Sequence, residues 1–110
     1  MSDAKEPGPQ ASSKKHFVVR LIPPRPTFAA DMTEEERAIM AAHGAYWRGL
    51  MNRGIALLFG PVLDPAGVWG LGILEAKDPD AARRLAADDP AIKSGLNRAE
   101  IHEIAAVVRG

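Results

Sequence analysis

The 110-residue chain contains no cysteine, so no disulfide staples it and no thiolate is available as nucleophile or metal ligand. It also lacks a surplus of either charge: 14 Lys and Arg balance 14 Asp and Glu, and the basic residues are scattered. Without a basic patch there is no electrostatic footprint for a nucleic acid. Aromatic residues are few (Phe17, Phe28, Tyr46, Trp47, Phe59 and Trp69) and do not alternate with basic ones as a base-stacking platform would. No long apolar run suggests a membrane span or a signal peptide, and the cytoplasm is the expected compartment. The histidines His16, His43 and His102 are widely separated and no H-x-x-x-H occurs, so no metal site is expected. Nor is a cofactor expected, since the Gly-Leu-Gly at Gly70–Gly72 sits in a strand pattern and lacks the strand-to-helix context of a phosphate loop.

The remaining content is that of one small α+β domain. Residues 1–15 (MSDAKEPGPQASSKK) are small and polar and read as a disordered leader, which leaves 16–110 to fold. The organising element is a helix from Thr33 to Gly54. Thr33-Glu34-Glu35-Glu36 is a capping box whose glutamates complement the helix dipole, and Gly54 is the expected C-cap. At about 100° per residue, Ile39, Met40, Tyr46, Trp47 and Leu50 fall within roughly 60° of His43, with Glu34, Arg37 and Arg48 on the far side. His43 therefore sits at the centre of the apolar stripe, where an imidazole needs a hydrogen-bond partner.

Around this helix the chain alternates. His16–Ile22 is a strand stopped by Pro23-Pro24, and PPRPTFAADM is an irregular loop, long enough to serve as a lid or pocket wall. Ile55–Gly60 and Val68–Glu75 form a hairpin about the Asp64-Pro65-Ala66-Gly67 turn. Asp78-Pro79 starts a second helix that ends near Asp88, Ala91–Gly95 is a short turn, and Glu100–Val108 is the last strand. The order β-α-β-β-α-β is that of a ferredoxin-like fold with both helices on one sheet face. The strands are apolar on both faces, too large a bare patch for a monomer, which points to a homodimer packed sheet to sheet.

The segments EEERAIMAAHGAYWRGLMNRG, FGPVLDPAG and GILEAKDPDAARRLAADDPAIKSGL, followed by a closing strand, together resemble the YciI-like (YCII-related) family over about residues 16 to 108. The resemblance implies a dimeric α+β barrel, similar in fold to muconolactone isomerases, and a His–Asp pair in a pocket. Dehydrochlorinase activity on a chlorinated hydroxyquinol has been linked to the family. Carried over by position, the pair is His43 and Asp89, and the Gly-Pro after the second strand is Gly60-Pro61. The long PPRPTFAADM insertion departs from the shorter members.

Asp89 bonded to one imidazole nitrogen would fix the tautomer and leave the other as general base or acid. The alternatives are a histidine that only ties helix to loop, and an aspartate that only caps the turn before Pro90, with Asp88 as a rival carboxylate. Tyr46 and Trp47 flank His43 as core residues or ligand contacts, while Ser94 and Arg20 are weaker substrate-binding candidates. Gly70 and Gly72 share a strand face and would leave a hollow for a ligand or let another backbone approach closely. The first reading is a cofactor-independent enzyme performing isomerisation, elimination or a dehydrochlorination-like step on a small cyclic or aromatic molecule. The second is a non-catalytic dimeric metabolite-binding module.

Overall fold

The computed structural model describes residues 14–110; residues 1–13 of the expected leader lie outside the described residues. The elements are β1 (Lys15–Ile22), α1 (Phe28–Asp31), α2 (Glu34–Asn52), β2 (Ala56–Val62), β3 (Trp69–Ala76), α3 (Pro79–Ala87), α4 (Pro90–Lys93) and β4 (Arg98–Ile104). The four strands form one antiparallel sheet in the order β2-β3-β1-β4, the ferredoxin-like arrangement.

Helix α2 begins as its sequence dictates. The Glu36 amide donates to the Thr33 hydroxyl, and the Thr33 amide donates to the Glu36 carboxylate. At the other end Arg53 is the C-cap and Gly54, at φ 73°, takes the left-handed position after it. The amides of Gly54 and Ile55 then donate to the carbonyls of Met51 and Leu50, a Schellman closure that needs the glycine.

Strand alternation sorts the side chains. Phe17, Val19 and Leu21 pack under Trp47, Leu50, Ala82 and Ala86 in the buried core. Trp47, Phe17, Leu50, Leu74 and Val19 are the largest apolar side chains in it, and burying each contributes about 1.5–3 kcal/mol. The opposite face carries Val18, Ile22, Leu71 and Ile73, only half-buried in the single chain. Charged residues border and interrupt it: His16 is paired to Glu75 at one end, and Arg20, between Val18 and Ile22 and opposite Leu71, is paired to Glu100. This face thus carries an apolar stripe broken by Arg20 rather than being apolar throughout.

Several boundaries differ from expectation: β1 already starts at Lys15, the turn expected at Ala91–Gly95 is the helical turn α4, and β4 starts at Arg98. β2 runs through Pro61, which is tolerated because β2 is an edge strand. β4 spans Arg98–Ile104 and stops short of Val108: Ile104 already pairs with His16 near the start of β1, so later residues have no strand to lie against. The proline-rich loop contains the helical turn α1, entered directly after Pro26-Thr27.

A histidine–aspartate pair on the wall of an apolar cavity

The segment after α3 folds around one carboxylate. Asp89 is the N-cap of α4 with Pro90 at the first helical position, and its Oδ1 accepts from the Ala91 amide at 2.9 Å. Its Oδ2 accepts from the Trp47 indole N–H at 2.9 Å and lies 2.7 Å from His43 Nδ1. Asp89 is 1% exposed, so these contacts replace its water almost completely. An indole and an amide can only donate, and as a carboxylate Asp89 accepts all three bonds with the proton on His43 Nδ1. In the neutral ring that tautomer leaves the lone pair on His43 Nε2, and His43 is on the cavity wall. Asp88, the rival carboxylate, is exposed and bonds no histidine nitrogen.

Trp47 reaches Asp89 because β3 has no side chain beneath it. A Cβ at Gly72 would fall inside the van der Waals envelope of the indole ring. The same ring stacks on Phe59 at 6.0 Å between centroids and stands 6.5 Å from the His43 ring. Gly72 thus admits the tryptophan side chain rather than another backbone, whereas Gly70 lines the open space beside it.

That space is a cavity of about 340 Å³. The sheet supplies Leu21, Phe59, Gly60, Pro61 and Gly70; α2 supplies Met40, His43 and Trp47. The third wall is the proline-rich loop, through Pro23, Phe28, Ala29 and Met32. Its size suits a single-ring organic molecule, and its lining side chains are hydrocarbon or thioether apart from His43, Asn97 and the two tryptophans.

The loop is held shut by Arg25. Its guanidinium forms a bidentate pair with Glu36 (2.7 and 3.0 Å) and donates through Nε to Asp31 Oδ1 at 2.8 Å. It also lies over the Phe28 ring at 5.3 Å, and the Thr27 hydroxyl donates to Asp31 Oδ2. The Arg25 bond and the Thr33 amide hold the Glu36 carboxyl down to about 2. The Thr27 hydroxyl, with Arg25 beside it, likewise lowers the Asp31 carboxyl. Glu36 is therefore shared between the helix cap and the loop.

The other foreseen residues lie elsewhere. The Tyr46 hydroxyl donates to the Leu85 carbonyl at 2.6 Å, joining α2 to α3 outside the cavity lining, and burial raises its pKa with the Asp88 and Asp89 charges adding to the effect. Ser94 is the C-cap of α4 and bonds within its own turn, apart from the cavity. Arg20 is on the opposite sheet face, over the Trp69 ring at 4.7 Å. Strand parity explains this: Arg20 alternates with Val19 and Leu21, which face the helices. The sequence reading had Met40 on the His43 stripe and the loop bearing Phe28 and Met32 as a pocket wall, but it did not single out Arg25 or Asn97. Among the described residues no three His, Asp or Glu side chains converge as a metal site, and no helix is long and apolar enough to cross a membrane.

The fold and this geometry define a ferredoxin-like α+β protein whose helix histidine, backed by a buried carboxylate, faces an apolar cavity. The chain belongs to the YCII-related domain family, which matches residues 16–105. Its structure is similar to that of 5-chloro-2-hydroxyhydroquinone dehydrochlorinase from Burkholderia phenoliruptrix, solved in complex with 2,5-dihydroxybenzoquinone. The TM-score is 0.60 at 20% identity, covering 79% of this chain and 90% of that one. No curated protein sequence matches the chain.

Proposed function

We propose that the protein is a small-molecule enzyme that uses His43 as general base and acid, oriented by Asp89, on a small cyclic or aromatic substrate. The observation that carries this reading is the 2.7 Å bond from His43 Nδ1 to a fully buried Asp89 while the ring lines the cavity. Nε2 takes a proton from a carbon or hydroxyl of the bound ring. In an elimination, the electrons released move into the ring as an anionic group such as chloride departs; in an isomerisation, the imidazolium returns the proton at another carbon. Asp89 stabilises the imidazolium at either stage without itself accepting the proton. The likeness to a dehydrochlorinase favours the elimination.

The working form is proposed to be a homodimer joined through the apolar stripe of Val18, Ile22, Leu71 and Ile73, because that face has no cover within the chain.

The test is chloride release from 5-chloro-2-hydroxyhydroquinone by the wild type, Asp89→Asn and His43→Asn. General acid–base catalysis predicts losses of about 10²- to 10⁴-fold in kcat/KM for both variants. Turnover unchanged in His43→Asn, or none with the folded wild type, overturns this reaction for this chain.

A further inference from the structure

Apart from the dyad and Trp47, the cavity lining holds two side chains with polar atoms, Asn97 and Trp69, and the Trp69 indole N–H already donates to Asp64 at 3.2 Å. Asn97 precedes β4, and its backbone amide donates to the Ala91 carbonyl at 2.9 Å, tying it to the turn that Asp89 caps. Gly95, at φ 79°, reverses the chain between them. The side chain is 6% exposed, and its Oδ1 is buried with no hydrogen-bond partner among the described residues. It is the only such side-chain atom found among them. A protein that leaves a buried acceptor unpaired forgoes stability, and a bound molecule that supplies the missing donor is the functional reason to do so.

We infer that Asn97 is a ligand-anchoring residue, which accepts a hydrogen bond from a hydroxyl on a ring bound in the cavity while His43 faces the same space. Oδ1 is covered as it stands. The terminal torsion of an asparagine is broad and two-fold, and in the bound form inferred here the carboxamide turns over, exchanging its oxygen and nitrogen without moving the backbone. An acceptor requires a donor on the ligand, which selects a hydroxylated ring over an ether, halide or hydrocarbon of the same size. The remaining walls are apolar and take the ring itself. This inference rests on the reading of the cavity as a ligand site and specifies which chemical group the ligand presents to it.

The matched probes are phenol and toluene, which differ by exchange of a hydroxyl for a methyl at nearly constant size. Binding is measured by NMR titration of the full chain. Asn97→Leu is expected to weaken phenol by about three- to tenfold while leaving toluene unchanged or tighter. Asn97→Asp, which keeps an acceptor at the same place, is expected to restore phenol to within about threefold of wild type. The thermal midpoint of unliganded Asn97→Leu should rise, since the unpaired oxygen is gone; Asn97→Ala replaces it if leucine prevents folding. If both probes bind the wild type and Asn97→Leu changes them in parallel, the Asn97 assignment falls and the cavity reading survives. If neither binds, the cavity reading falls and takes the assignment with it.

Discussion

Trp47 and His43, neighbours one turn apart on α2, bond the same oxygen of Asp89, at 2.9 and 2.7 Å. The indole therefore fixes the carboxylate that in turn fixes the imidazole. Trp47→Phe keeps a ring in the core but removes one donor from a buried acceptor. The expected cost is about 2–4 kcal/mol, from the lost bond to a charged group and the space left behind. Urea denaturation measures it, and a cost below about 0.5 kcal/mol would show that the indole bond contributes nothing.

Gly72 is the counterpart beneath the ring. Gly72→Ala should force the indole off its seat and destabilise the fold by about 1–3 kcal/mol. Gly49→Ala supplies the control, because a Cβ there meets nothing within 4 Å on an established helix and should stabilise by about 0.5–1 kcal/mol. Equal effects of the two substitutions would contradict the close approach of Trp47 to β3.

The Arg25–Glu36 clasp gives a pH dependence whose sign is set by a lowered carboxyl. In the folded chain the Glu36 pKa falls to about 2 from an ordinary 4.5. Its stabilising contribution is thus fully present above about pH 4.5 and is lost as pH falls toward 2. The thermal midpoint of the wild type should exceed that of Glu36→Gln at pH 6, and the gap should close on acidification. A gap that is constant from pH 6 to about 2 would mean the clasp does not hold the loop.

The sheet face opposite the cavity supplies a test of assembly. Ile73→Lys places a charge in the middle of the half-buried stripe, and sedimentation should shift from dimer to monomer while the His43–Asp89 side of the sheet is untouched. A wild type that sediments as a monomer at every concentration would remove the homodimer from the proposal.

Much of this was legible in the chain because its causes are local. The capping box of α2 occupies four consecutive residues, Thr33 to Glu36, and the orientation of His43 follows from helical period alone. The pairing of His43 with Asp89 spans 46 positions, so the residues themselves could not choose between Asp89 and Asp88; resemblance to known chains did. The Arg25 clasp was hidden because several acidic residues compete for one arginine, and only the path of the loop selects Glu36. Asn97 gave no signal, since an asparagine near a glycine reads as a turn residue until a cavity is found beside it. The end of β4 was misjudged because strand length belongs to the partner: apolar character continues to Val108, but the register with β1 ends at Ile104.

The stretch from Asp89 to Asn97 carries a further implication. It holds the carboxylate that bonds His43 at one end and the orphan carboxamide at the other, with Ala91 stitched to both. A change of even one residue in its length would disturb reactivity and recognition together. Exchanged whole between members of the family, it should behave, under the proposed function, as one cassette that carries the orientation of the histidine and the choice of molecule together.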